Sequence, residues 1–221
     1  MKEKTSLPGS RIRNDALLEG QEEERKRLAQ ELHDGVGQLL TGIRLQIELL
    51  QNAHFNEKEK SSYLLLKELV LETIETVRQV SFDLMPSVLT DFGLVPALRL
   101  LSEKSTRISG ITVRFESGEW SQRLASLIEI NLYRMVQEAI NNSLKYAKAS
   151  RIDIILTENA GKIVLRILDD GIGFNPDELQ EKKFVHSGLS NLKLRAESIG
   201  AALEIKSIKD KGTEISIKLN A

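Results

Sequence analysis

His33 stands next to Asp34 in the string ELHDGVGQLL, inside a run whose apolar residues recur at helical spacing. At about 100° per residue its face also holds Lys26, Gln30, Gly37 and Arg44, so the imidazole points outward past a position with no side chain. A neutral imidazole is a nucleophile, and an ordinary histidine is mostly neutral at pH 7. Asp34 can hold the proton on one ring nitrogen and balance charge as it develops, leaving the other nitrogen free to attack. Gln38, one turn beyond Asp34, can orient a water. The plainer reading is a solvated helical histidine beside a carboxylate, and this stretch alone does not decide between them.

Three further groups carry chemistry. Glu138 and Asn142, four apart in VQEAINNSLKYAKA, put a carboxylate and an amide on one helical face, with Lys145 three residues further along. Hard oxygen ligands suit Mg²⁺, which takes few protein ligands when phosphates and waters complete its octahedron. Glu138 would then hold a metal-bound water, and Lys145 would meet a phosphate. A solvated polar helix face explains the same residues equally well.

Asp169, Gly171 and Gly173 follow an apolar run in ILDDGIGFNP. The glycines let the backbone turn sharply and approach a ligand, while the carboxylate can accept a hydrogen bond from an exocyclic amine such as that of adenine. A tight strand-ending turn is the alternative. Ser187, Gly188 and Leu189 open a helix whose free N–H groups suit a phosphate, and Asn175 to Ser187 reads as a mobile lid. Gly212 and Thr213 close the last turn, where Thr213 either bonds a ligand or begins a strand. No G-x-x-x-x-G-K-[ST] phosphate loop occurs.

These residues need elements to position them. Residues 1–20 are polar, with Pro8, Gly9 and Ser10, and read as a flexible lead-in. From about 21 to 52, Leu32, Val36, Leu39, Ile43 and Leu50 form a heptad seam widened by Leu28, Leu40 and Ile47; Leu66, Val70, Ile74, Val77 and Leu84 mark a second helix ending before Pro86. The short connection makes the pair antiparallel. Two helices cannot bury so wide a stripe between themselves, so a homodimeric four-helix bundle is expected over residues 21–90; packing on the rest of the chain is the other solution. Residues 91–221 alternate helix and strand periods. They predict an α/β sandwich with a mixed sheet and helices on one face.

Composition sets outer limits. The 221 residues carry 31 Lys and Arg against 32 Asp and Glu, so no general positive field exists to hold nucleic acid, and direct nucleic-acid binding is not expected. Zero cysteines exclude a disulfide scaffold, a thiolate zinc site and a cysteine nucleophile. No stretch is long and apolar enough for a membrane helix, and the N-terminus lacks a signal-peptide core, so the expectation is a cytoplasmic chain, membrane-tethered only as part of a longer protein.

In this order HDGVGQ, EAINNSLKY, DDGIGF, HSGL and KGT resemble the H, N, G1, G2 and closing Gly-Thr elements of two-component sensor histidine kinases, over residues 21 to 219. His33, Asp34 and Gln38 look like the H-D-x-x-x-Q box of the subfamily that includes the NarX, DesK, DegS and LiaS sensors, and LMPSVLTDFGLVPAL is similar to its second-helix exit. The second half resembles the GHKL-type ATPase domain. The resemblance implies a protein histidine kinase: ATP-dependent autophosphorylation of His33 in a dimer, then transfer to an Asp of a response regulator receiver domain, often one with a helix-turn-helix DNA-binding output. It implies Asp34 as general base, Gln38 as water-orienting residue of regulator dephosphorylation, Asn142 as Mg²⁺ ligand, Glu138 as water-positioning carboxylate and Asp169 as adenine contact. Gly171, Gly173 and Gly188 align with the nucleotide loops, and Lys145, Tyr146, Leu189 and Thr213 line the same site.

The departures are His186 where a glycine is common, Tyr146 where a histidine is common, Met85 where an arginine is common and Thr90 where an aspartate is frequent. His186 keeps a catalytically weak nucleotide-binding scaffold in view, and Asp34 with Gln38 keeps a phosphatase-dominant relative in view. An ATPase or serine kinase of the anti-sigma type would share the nucleotide site without needing the exposed His-Asp pair. No sensing module is recognisable, so the chain reads as a transmitter core.

Overall fold

The computed structural model describes residues 8–118, 120, 122–175 and 188–220. They divide into two compact units: residues 16–87 form the helical one, described first, and residues 8–15 group with 88–220 in the other.

In the first unit, helix α1 (Pro8–Glu31), which belongs to it from Ala16 onward, continues through a π-helical turn, Leu32–Gly37, into α2 (Gln38–Leu49). The expected flexible lead-in is corrected here: residues 8–20 are helical. Pro8 opens the helix where its missing N–H costs nothing, and the polar residues that follow carry no breaker until Gly20. The absence of an apolar period did not mark a coil. Helix α3 (Glu57–Leu84) starts on a capping box: Asn56 Oδ1 accepts from Glu59 N, and Glu59 Oε2 accepts from Asn56 N, each at 2.9 Å. It ends where Met85 turns extended ahead of Pro86.

Ile47, Val70 and Ile74 are buried between these helices, with Leu40 and Tyr63 packed on them. Ser81 Oγ donates to the Ala29 carbonyl at 3.1 Å and ties α3 back to α1. Four of the five residues of the first predicted seam, Val36, Leu39, Ile43 and Leu50, are exposed, Leu39 by 71%. The hairpin thus closes on the flanking positions Leu40 and Ile47 and leaves the seam itself outside.

The second unit begins with a short helix α4 (Ser87–Phe92), which periodicity did not reveal, and α5 (Leu94–Ser109), which buries Leu94, Ala97, Leu98 and Leu101. Strand β1 (Thr112–Ser117) leads to α6 (Ser126–Asn142) and a π-helical turn, Ser143–Ala147. Then follow β2 (Arg151–Asn159), β3 (Lys162–Asp169), α7 (Gly188–Ser198), β4 (Ala202–Ile208) and β5 (Gly212–Asn220). The sheet order is β1-β2-β3-β5-β4, parallel between β1 and β2 and antiparallel elsewhere, which is the predicted mixed sheet.

Alternation explains why the helices lie on one face. Ile152, Ile154 and Leu156 on β2, Ile163, Leu165 and Ile167 on β3, and Ile215, Ile217 and Leu219 on β5 are all buried with Leu132, Tyr133, Met135 and Val136 of α6 and Leu192 of α7. Each such side chain contributes about 1.5–3 kcal/mol of burial.

Two buried polar contacts then fix the helices that carry the site. Arg195 of α7 donates to Asn131 Oδ1 of α6 at 3.0 Å. Glu129 of α6, 2% exposed, accepts from Arg123 at 3.0 and 3.1 Å and from the Leu124 N–H at 3.2 Å. Arg123 also reaches the Thr90 and Asp91 carbonyls at the end of α4, so the buried acid is paired and α4 is anchored to α6.

Candidate functional site

His33 lies within the π-helical turn, its side chain 78% exposed. Its Nδ1 sits 3.0 Å from Asp34 Oδ1. An ionised carboxylate only accepts, so the contact puts a proton on Nδ1, and in the neutral imidazole Nε2 then keeps its lone pair. The π turn is a feature sequence reasoning missed. Gly35 and Gly37, whose lack of side chains eases a wide turn, were its only signal. Gln38 follows at the first position of α2 and is exposed.

In the second unit, the three motifs predicted to meet a nucleotide converge. Asn142 Nδ2 donates to Glu138 Oε1 at 3.2 Å near the end of α6. Gly188, the first residue of α7, lies so close that a β-carbon there would overlap Glu138 Oε1 and crowd Asn142 Nδ2. The helix N-terminus therefore starts against the carboxylate and the amide, an arrangement its dipole favours. The Asn142 nitrogen is the amide atom that meets the carboxylate, which leaves the amide oxygen, with the carboxylate, as the hard oxygen donors that Mg²⁺ prefers. Among the described residues no cluster of three or more acidic or histidine side chains offers a fuller cage.

The turn after β3 is packed as tightly. A β-carbon on Gly171 would overlap the Ala147 carbonyl at the end of the π turn, and Ile172 N donates to that carbonyl at 2.8 Å. Gly173 takes φ +56° with its α-carbon against the Ile208 carbonyl, and Asp210 N donates to Ile172 O at 2.7 Å, so the turn is gripped between the end of α6 and the β4–β5 turn. Asp169 pairs with Thr213 across β3 and β5. Its Oδ2 accepts from Ser143 Oγ and its Oδ1 from Gly171 N, each at 3.0 Å.

Not every predicted residue offers what was expected. The Thr213 hydroxyl lies 3.0 Å from Ser207 Oγ, in a network where Ser207 also accepts from Phe174 N at 2.8 Å. Leu189 packs half-buried on the core, so its backbone is what it can present to a ligand. Lys145 and Tyr146 are exposed on the π turn, Tyr146 by 70%. Beyond Asn175 the expected lid, with Ser187 and His186, lies outside the described residues.

Sequence reasoning also passed over three residues that shape the site: Ser143, Ser207 and Asp170. Asp170 accepts from Ser150 N, Ser150 Oγ and Arg151 N at 2.8, 2.6 and 2.9 Å. The Ser150 hydroxyl and then the Arg151 N–H hold its carboxyl below the usual range. Its only signal was adjacency to Asp169.

Comparison with known proteins agrees with this arrangement. Residues 24–89 match the family model described as histidine kinase, and residues 128–221 match that of the histidine kinase-, DNA gyrase B- and HSP90-like ATPase. The signal transduction histidine-protein kinase/phosphatase DegS of Brevibacillus brevis is 32% identical over 206 residues, covering 92% of this chain and 53% of that protein. The oxygen sensor histidine kinase NreB of Staphylococcus carnosus (strain TM300) is 31% identical over 202 residues, covering 91% and 58%. The chain thus spans little more than half the length of these curated relatives. The histidine kinase domain of the Erythrobacter litoralis EL346 blue-light activated histidine kinase shares the fold, at 15% identity and a TM-score of 0.54, over 83% of this chain and 94% of that one. Both family models are matched in order around a His-Asp pair and a glycine-lined turn, so the chain carries a histidine kinase domain followed by the ATPase domain and is similar to the corresponding half of DegS and NreB.

Proposed function

We propose that this chain is a histidine kinase transmitter core that phosphorylates its own His33 from ATP and passes the phosphoryl group to an aspartate of a response regulator receiver domain. The observation that carries the reading is the exposed His33 with Nδ1 held by Asp34, in a chain whose other unit packs Glu138, Asn142 and Asp169 around three close-packed glycines.

His33 Nε2 attacks the γ-phosphorus as the bond to the bridging oxygen breaks, and ADP leaves. Asp34 keeps the proton on Nδ1 and balances the charge of the imidazolium-like product. The receiver carboxylate then attacks the same phosphorus, the P–N bond breaks and neutral His33 is restored. Asp169 accepts from the adenine amine, and Gly171 and Gly173 let the backbone approach the base. Gly188 and the N–H of Leu189 face phosphate at the start of α7, with Lys145 as a nearby cation and Tyr146 and Thr213 at the margins. Asn142 and, through a water, Glu138 would hold Mg²⁺, which neutralises phosphate charge when bound. The exposed seam Val36, Leu39, Ile43 and Leu50 supports burial against a second copy in a four-helix bundle. Because DegS is named a kinase/phosphatase, the exposed Gln38 is also assigned to orienting a water for dephosphorylation of the regulator.

The test is incubation of the purified chain with γ-labelled ATP and Mg²⁺, followed by a panel of receiver domains. Acid-labile, base-stable label that moves to one receiver is the expected result. Acid-stable label would instead identify a serine kinase, and tight ATP binding without transfer to any receiver a scaffold.

A further inference from the structure

Ser143 has no part in the reactions above, yet it is buried and its hydroxyl donates to Asp169 Oδ2. Its backbone is fixed as well, since it stands where α6 passes into the π turn and its N–H is shared between the Ala139 and Ile140 carbonyls. The second oxygen of Asp169 is held by the Gly171 N–H. A serine hydroxyl has one proton. With that proton on Asp169, Ser143 Oγ has only lone pairs left to offer, and the Gly171 N–H is already used. What remains of this cluster for a ligand is acceptor capacity alone, on a carboxylate pinned at both oxygens.

Resting on the reading that this site binds ATP, we infer that Ser143 is a specificity-determining residue for the base, locking Asp169 so that it takes a 6-amino purine and refuses a 6-oxo purine. An amine at position 6 donates to the carboxylate. A 6-oxo purine sets an oxygen against oxygens there, and its nearest donor, the ring N1–H, lies one bond further along the edge. A carboxylate free to rotate can swing to meet that N1–H; one held by Ser143 and Gly171 cannot. A half-buried carboxylate left facing the wrong partner is what gives such a site its discrimination.

The test compares ATP with inosine triphosphate, which differ only at this edge, by calorimetric titration of the full chain with Mg²⁺. Wild type binds ATP more tightly. In Ser143→Ala the ATP affinity falls by about tenfold, the scale of one hydrogen bond, while inosine triphosphate binds as well or better, so the ratio collapses. Ser143→Cys, which keeps the volume but donates weakly, gives an intermediate ratio and serves if the alanine variant fails to fold. Equal weakening of both nucleotides, or an unchanged ratio, overturns the role of Ser143 while leaving the ATP reading intact. A wild type that binds neither nucleotide overturns the ATP reading and this inference with it.

Discussion

The two units meet the same demand, holding a reactive group still, in opposite ways. In the helical unit the candidate pair is local: His33 and Asp34 are neighbours in sequence, both exposed, and oriented by a single 3.0 Å contact. Around them a broad apolar stripe stays uncovered. In the α/β unit each candidate residue is set by contacts distant in sequence, Ser143 on Asp169, Gly171 on Ala147, Gly188 on Glu138 and Gly173 on Ile208. A nucleophile has to be reachable, and one helix surface suffices for that. A nucleotide site has to be pre-formed, which requires several elements to close on one another.

This difference is broken most severely by Gly171→Ala. The new β-carbon overlaps a backbone carbonyl that cannot rotate away, so we expect the α/β unit to lose about 2–4 kcal/mol in urea titrations and nucleotide binding to vanish, with the helical unit's transition unchanged. Tolerance of alanine there would mean that tight seating does not set the site. Leu39→Glu probes the other side. Placing a charge on the exposed seam should convert a dimer to a monomer in light scattering while leaving ATP affinity intact; a wild type already monomeric would remove the bundle from the account.

The split also explains what was legible in the sequence. His33, Asp34 and Gln38 were readable because helical spacing alone puts them on a surface. The strands and α5 were readable because Ile152, Ile154, Leu156 and Leu94, Ala97, Leu98 keep their periods. Ser143, Asp170 and Ser207 were not, since their significance lies in partners as distant as Asp169 and Phe174. The first turns of α1 were hidden for the opposite reason: residues 8–20 carry no apolar period to announce a helix.

Smaller effects sharpen the contrast. Asp170→Asn should cost about 1 kcal/mol at pH 7 by weakening the carboxylate's hold on Ser150 and Arg151. Because the folded state depresses this carboxyl, its contribution is full above the ordinary Asp pKa of about 3.9 and fades as pH falls through the lower folded value. Wild type and variant should therefore converge in urea midpoint as the pH drops below about 4. Gly20→Ala, at an exposed position of α1 with nothing within 4 Å of the added carbon, should stabilise the helical unit by about 0.5–1 kcal/mol, read as a rise in its melting temperature.

The central claim is that one unit supplies the nucleophile and the other the nucleotide site. It is tested most directly by measuring ATP affinity and γ-phosphoryl labelling side by side in His33→Gln and Asp169→Asn. His33→Gln should bind ATP like wild type and take no label, whereas Asp169→Asn should lose both. Label persisting in His33→Gln would contradict it.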